Sequence, residues 1–222
     1  MTALRGTIRG MENTKARQNA AGYPRSARTP RGETRRTELL AAVVEDLKAN
    51  GMVDFSMRRA ARAAGTTHKV LLYHFDGAEE LLGEAINCLR EERIVNVMSA
   101  AAGHDSLGAR VRAIWPVLKN DSTGLRVIDQ AIGLAMYDPQ RYAHLANDAS
   151  SPYRASLISL CPPDWTQRHK EQVAELILAT MRGFLMEWQT SPNTTYVDRA
   201  LSVLVRALDR EEAAAGRERK RH

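Results

Sequence analysis

Apolar residues recur every three or four positions along most of this chain, which is the pattern of amphipathic helices. Between residues 35 and 50, one helical face carries Leu39, Leu40, Val43, Val44 and Leu47. A shorter apolar stripe follows at Met57, Ala60, Ala61 and Ala64. Ser56 precedes this second stripe and can cap its first turn. The pattern therefore predicts an all-α fold whose first two helices pack together.

The next segment predicts a tight turn and a third, short helix. Gly65 stands where a helix C-terminus needs a left-handed backbone, and Thr66 and Thr67 can cap the helix that follows. In that helix, Leu71 and Phe75 are four residues apart and point toward the preceding helix. The outward positions are His68, Lys69, Leu72 and Tyr73. Two helices joined by a short turn with Gly form a helix-turn-helix, and its second helix fits the major groove of DNA.

An acidic and apolar helix start, Glu79-Glu80-Leu81-Leu82, follows the predicted helix-turn-helix. Together with Ala60, Ala64-Gly65-Thr66-Thr67, Leu71 and Tyr73-His74-Phe75, this order resembles the DNA-binding domain of the TetR family of bacterial repressors. The resemblance implies a helix-turn-helix DNA-binding domain over residues 35–82 and a helical ligand-binding and dimerisation domain over 83–214. The chain departs from the family pattern at Lys69, Leu72 and Ala78, so no target sequence can be taken from a relative.

Eight residues on or beside the predicted recognition helix are candidates for contacting DNA: Arg58, Thr66, Thr67, His68, Lys69, Leu72, Tyr73 and His74. Their hydroxyl and amine groups can hydrogen-bond base edges or phosphates. We expect His74 to donate to a phosphate. A metal site is not favoured, because no Cys or carboxylate completes a ligand set with the two histidines.

Residues 1–34 have no apolar periodicity and predict a disordered basic arm. The cations are Arg5, Arg9, Lys15, Arg17, Arg25, Arg28 and Arg31. Such an arm can lie along phosphates or enter the minor groove beside the bound helix. Equally, it can be a solvated leader without a role in binding.

Beyond Leu82 the helical pattern continues without further DNA-binding features. Helices are predicted over 77–102, 107–119, 125–137, 140–160, 165–189 and 197–208, with a polar end from 209 and a basic tail over 215–222. The run from Arg90 to Arg93 is expected on the solvent-exposed face of the first of these helices. Pro116 is expected to bend the second helix beside Trp115. An apolar ligand pocket of a few hundred Å³ is expected among Trp115, Met136, Tyr137, Met181 and Trp188.

The last two predicted helices are apolar over more than half of their circumference. On the first, Val173, Leu176, Ile177 and Phe184 form one face, and Leu178, Met181, Leu185 and Trp188 form the adjoining one. On the second, the apolar residues are Ala200, Leu201, Val203, Leu204 and Ala207. Faces this wide predict a homodimer in which the same pair from a second subunit completes a four-helix interface. The alternative is a fully buried central pair in a monomer.

Composition is compatible with a DNA-binding protein of the cytoplasm. The 222 residues carry a formal charge of +6, which suits a polyanionic partner without establishing one. Cys88 and Cys161 are far apart and form neither a metal motif nor a disulfide framework, which favours a reducing compartment. We expect no signal peptide and no membrane span, because no apolar run approaches the required length.

Enzyme classes are not favoured, because the chain lacks a G-x-S-x-G, a Walker glycine loop and an H-E-x-x-H motif, and no cofactor is expected. The sequence therefore predicts a DNA-binding transcriptional regulator. The TetR resemblance further implies a dimeric repressor that a small hydrophobic ligand releases from a palindromic operator. The alternative is a helix-turn-helix regulator whose helical body binds a protein partner.

Overall fold

The computed structural model describes residues 29–146, 149–191 and 193–219. This part of the chain consists of helices and irregular connections without a strand, which confirms the predicted all-α fold. The helices are α1 (Pro30–Asn50), α2 (Met57–Ala63), α3 (His68–His74), α4 (Ala78–Ala101), α5 (Leu107–Asn120), α6 (Ser122–Tyr137), α7 (Pro139–Ala146), α8 (Ser151–Leu160), α9 (Gln167–Thr190) and α10 (Thr195–Arg219). None of these helices is long and apolar enough to cross a membrane.

The first helix begins earlier than the sequence indicated. Thr29 caps α1, since its hydroxyl accepts a hydrogen bond from the Gly32 N–H at 3.2 Å, and Pro30 occupies the first turn. Residues 30–34, which were expected in the disordered arm, are therefore helical. The rest of the predicted arm, residues 1–28, lies outside the described residues.

Two hydrophobic cores divide the molecule into a head and a body. We call α1, α2, α3 and the first half of α4 the head, and α5, α8, α9 and α10 with the second half of α4 the body. The head core is built on fully buried side chains of α1, α3 and α4, among them Leu39, Leu47, Leu71, Phe75 and Leu81.

Helices α4 and α6 connect the two cores. The first half of α4 places Ala85, Ile86 and Leu89 in the head core, whereas Ala101 near its other end lies in the body core. Helix α6 contributes Val127 to the head core, and the Gln130 side chain accepts a hydrogen bond from the Met52 N–H at 2.9 Å. The predicted domain boundary at residue 82 therefore falls inside a continuous helix.

Two predicted helices have different ends in the structure. The segment 140–160 forms α7 and α8, and Pro152 in the first turn of α8 marks the new start. Helix α10 continues from Leu208 to Arg219. Its extension is fixed to the start of α5: Asp209 accepts from the Ser106 hydroxyl at 2.9 Å, and Glu212 accepts from the Leu107 N–H at 2.8 Å.

Candidate nucleic-acid interface

Helices α2 and α3 are capped and joined as the sequence predicts. The Ser56 hydroxyl accepts a hydrogen bond from the Arg59 N–H at 3.3 Å and caps α2. The Thr67 hydroxyl does the same for α3, accepting from the Val70 N–H at 3.3 Å. Between them Gly65 has φ of +57°, a left-handed conformation that Gly adopts without steric cost. These local signals establish a helix-turn-helix.

One side of α3 is buried completely and the other is open. Leu71 and the following Phe75 have no exposed surface. The exposed residues of α2 and α3 and of the Thr67 cap, which we call the recognition surface, are Arg58, Arg62, Ala63, Thr67, His68, Lys69, Val70, Leu72 and Tyr73, whereas Thr66 is half-buried. Leu72 and Tyr73 are 47% and 46% exposed although they are large and apolar. Side chains of this kind can contact thymine methyl groups, so the surface combines cations, hydroxyls and apolar contacts.

Arginines of α1 and α2 hold α3 in place. Arg36 donates to the His74 carbonyl at 3.2 Å, lies 4.5 Å from the centre of the Phe75 ring and pairs with Glu84 of α4. Arg59 pairs with Asp46 at 2.7 Å, which fastens α2 to α1. Since these contacts are made on the buried side, they fix the orientation of the recognition surface.

His74 is a buried residue of α3. Its side chain is only 6% exposed, and its ring packs edge-on against Tyr73 with 5.1 Å between ring centres. The Nδ1 atom has no hydrogen-bond partner within the described part of the chain. This burial argues against the predicted phosphate contact, which stays a prediction. Burial lowers the pKa of the His74 imidazole, and the positive charges of Arg36 and Arg35 lower it further.

This burial predicts a pH-dependent stability. Because the pKa of His74 is lower in the folded protein than the value near 6.5 of a free side chain, the unfolded chain binds a proton first as the pH falls. The contribution of the neutral His74 side chain to the free energy of unfolding is therefore complete above the pKa of the free side chain and declines as the pH falls below it. We expect His74→Leu to remove part of the decline, measured by urea unfolding at about pH 7.5 and about pH 5. Substituting the exposed His104 by Leu is the control, and an equal decline in both variants would contradict the assignment.

A cavity of about 370 Å³ lies in the body between α4, α5, α6, α8 and α9. Of the five residues expected around a pocket, Met136 and Met181 line it. The other three lie elsewhere. Trp115 is in the body core, where its Nε1 donates to Asp198 at 2.9 Å, Trp188 packs against that core, and Tyr137 is 88% exposed. Helix α5 continues through Pro116, and the wall beside it comes from Ile114 and Leu118 instead.

Several polar residues of the cavity were not expected from the sequence. Arg93, Tyr153 and Arg182 line it, and Arg93 is 5% exposed rather than on the wet side of α4. Its neighbour Arg90 is also buried, at 6% exposure. The sequence does contain a signal for their burial. These arginines follow Ile86 by four and seven positions, so they lie on the same helical face as this apolar residue.

The outer faces of α9 and α10 carry apolar side chains that no other described residue covers. Leu176 and Val203 are 54% and 53% exposed, and Ala179, Gly183 and Ala207 are exposed as well. Most of the adjoining face predicted for α9 is buried in the chain's own core, including Leu178, Met181 and Leu185. An uncovered apolar strip of small and large residues therefore remains on these two helices.

Solved structures of transcriptional regulators share this fold. A predicted regulator from Streptomyces coelicolor A3(2) has a TM-score of 0.64 at 20% identity over 78% of this chain and 98% of the other. A predicted TetR-family regulator from Rhodococcus sp. has a TM-score of 0.62 at 16% identity over 79% and 98%. The multidrug binding protein EbrR, complexed with imidazole, gives 0.61 at 20% identity over 84% and 97%. No protein-family model and no curated protein matches the sequence. These likenesses confirm the predicted fold.

Proposed function

We propose that this chain, which has the fold of the TetR-family regulators, is a dimeric, sequence-specific DNA-binding repressor that a small ligand releases from its operator. The observation that carries the proposal is the two-sided character of α3. Its inner face is fully buried against the head, whereas its outer face exposes Lys69, Leu72 and Tyr73. A rigid helix with open donors and apolar contacts suits the major groove.

In this proposal, some residues of the recognition surface contact bases and others contact phosphates. His68, Lys69 and Tyr73 contact base edges, because they point away from the core along one side of α3. Arg58 and Thr67 contact phosphates, since they lie in the first turn of α2 and at the cap of α3. Val70 joins the surface at 36% exposure. Thr66 is half-buried, which leaves it a smaller role than expected.

Dimerisation would use the uncovered strip on α9 and α10. Exposed apolar residues such as Leu176 and Val203 are unfavourable in water and become favourable when a second copy covers them. The space beside the exposed Gly183 is open, and a residue without a side chain leaves room there for a helix of the second copy. A two-fold axis would place two α3 helices about 34 to 36 Å apart to meet successive major grooves, so the operator would be a near-palindrome.

Helix α4 offers a direct route from ligand to DNA. One part of the helix packs Leu81 and Ile86 into the head core, and a later part lines the cavity with Arg93, Ile94 and Val97. A ligand that fits the cavity better when α4 is displaced would also displace the head. The loss of DNA affinity would then be limited by the difference between the ligand's affinities for the DNA-bound and the displaced conformation.

Capture of genomic DNA tests the DNA-binding part. The purified full chain is mixed with sheared DNA of its source organism, and the retained fragments are sequenced after washing at increasing salt. We expect a few discrete fragments to persist, because base contacts survive salt that removes phosphate-only binding. Placing such a fragment before a reporter gene should lower expression when the protein is present. Uniform retention across the genome at every salt concentration would count against a sequence-specific regulator.

A further inference from the structure

Arg93 is a buried cation with an unmet hydrogen-bonding requirement. Its side chain is 5% exposed and lines the body cavity. The Nη1 atom has no hydrogen-bond partner within the described residues. A buried charge is costly unless it is both paired and hydrogen-bonded. The position therefore lacks an acceptor, and the cavity beside it is where one could bind.

Asp121 compensates only part of this charge. Its Oδ2 atom lies 3.7 Å from Arg93 Nη1, which is an ion pair too long for a hydrogen bond. The Asp121 carboxylate is also 27% exposed, so water competes for it. Burial raises the pKa of Asp121, and the charge of Arg93 acts against that rise. The carboxylate is close enough to interact but does not fill the place of a direct acceptor.

Two further arginines increase the positive charge. Arg182 lines the cavity and donates to the Ser150 hydroxyl at 2.8 Å, and Arg90 donates to the Leu145 carbonyl at 2.7 Å. Neither forms an ion pair with a described carboxylate. Both lie near Tyr153: burial raises the pKa of this phenol, and the charges of Arg93, Arg90 and Arg182 oppose the rise. Three guanidinium groups thus lie near Tyr153, and of these only Arg93 forms an ion pair with a described carboxylate, Asp121.

Most of the remaining cavity wall is apolar. Ile94, Val97, Ile114, Leu118, Leu157 and Ile177 line it. The carboxylate that lines the cavity, Asp129, is exposed and already accepts a hydrogen bond from Gln189 at 2.9 Å. The carboxylate of the cavity wall is therefore at the solvent side, whereas the buried Arg93 has an Nη1 atom without a hydrogen-bond acceptor among the described residues. A matching molecule would have an acidic group and a hydrocarbon body.

We propose that the cavity binds an apolar organic acid whose anionic group accepts hydrogen bonds from Arg93, assisted by Arg182 and the Tyr153 hydroxyl. The inference rests on the proposed function, since it names the ligand class of the release site. It also gives Arg93 a part in the response. Because Arg93 is carried by α4, an anion that draws this guanidinium toward itself pulls on the helix that holds the head.

Matched probes of one chain length test the charge preference. Decanoate, decanol and decylamine are titrated into the full chain by calorimetry below their aggregation concentrations. We expect decanoate to bind roughly ten- to a hundred-fold more tightly than decanol, because hydrogen bonds to charged groups are the stronger ones. Decylamine should bind most weakly. Equal affinity for acid and alcohol, tighter binding of the amine, or no binding of decanoate would overturn the proposal.

Substitution of Arg93 tests the assigned residue. Arg93→Met should reduce decanoate affinity to that of decanol while decanol binding stays unchanged, and Arg93→Lys should keep part of the acid preference. Arg112→Met on the exposed side of α5 is the matched control and should bind as the parent does. If Arg93→Met does not fold, Arg182→Met provides the second variant. An acid preference left unchanged in Arg93→Met, or in Arg182→Met where Arg93→Met does not fold, would overturn the assignment.

DNA release separates this inference from the proposed function. Decanoate that binds through Arg93 but leaves the retained DNA fragment bound would support the ligand class and contradict release by the ligand. Release by decanol as readily as by decanoate would overturn the ligand class and leave the repressor mechanism standing. Release by decanoate in the parent and its loss in Arg93→Met would support both.

Discussion

Replacing Lys69 and Tyr73 together by alanine is expected to abolish specific DNA binding while the protein stays folded. Both side chains are exposed on the outer side of α3, so the fully buried Leu71 and Phe75 stay in place, and the head loses only the contact of Tyr73 with the His74 ring. Each good base contact contributes about 1 to 3 kcal/mol, which predicts a loss of affinity of roughly thirty-fold or more for the pair. Fluorescence anisotropy with a captured genomic fragment measures the loss.

The control for this pair is a cation outside the head. Arg112→Ala removes an exposed positive charge from α5, and it should leave affinity for the fragment almost unchanged. The free energy of unfolding should change by less than about 1 kcal/mol in the double variant and in Arg112→Ala, as is usual for exposed positions. Retained affinity with an unchanged salt dependence in the double variant would mean that α3 is not the recognition helix.

Val203→Asp is expected to separate the proposed dimer and thereby to remove binding to the proposed operator. In a two-fold interface the substitution buries two like charges without partners, which is strongly unfavourable. A monomer would meet one half-site at a time and lose the gain from joint binding, roughly a hundred- to ten-thousand-fold. Sedimentation equilibrium measures the assembly, and anisotropy measures the affinity.

Another exposed valine provides the matched control. Val95 on α4 is 66% exposed, compared with 53% for Val203, but it lies outside the strip on α9 and α10. Val95→Asp should remain dimeric and bind DNA, whereas Leu176→Asp should behave as Val203→Asp does. A dimer that survives both Val203→Asp and Leu176→Asp would place the interface on another surface.

The helix-turn-helix could be predicted because its signals are local. The caps of α2 and α3 use hydroxyls three residues before the amides they bind, and Gly65 is placed by the φ that the turn requires. The pair Leu71 and Phe75 fixes which side of α3 is buried through spacing alone. Each of these signals involves only residues that are close in sequence, so it does not depend on how the rest of the chain packs.

Features that depend on tertiary packing were missed. Helix α10 extends because Asp209 and Glu212 meet the start of α5, a contact between residues about a hundred positions apart in sequence. His74 is buried where Tyr73 and the Arg36 side chain enclose it, although its type suggests a surface position. In these cases a polar side chain is accommodated by neighbours that no local pattern reveals.

The cavity shows the same limit for apolar residues. Trp115, Tyr137 and Trp188 were reasonable candidates, since large aromatic side chains often line ligand sites. Helices that are apolar on several faces do not reveal which face meets the core, the solvent or the cavity. The stronger signal was the position of Arg90 and Arg93, because both continue the stripe of buried residues that contains Ile86.

Selection of duplexes from a random pool by the full chain tests the central claim most directly, because the selected sequence records both the recognition helix and the symmetry of the assembly. We predict a two-fold symmetric consensus whose half-sites are centred about one helical turn, or a multiple of it, apart. Lys69→Ala should change the consensus at the same positions in both halves. An asymmetric or featureless consensus from a folded protein would contradict the account.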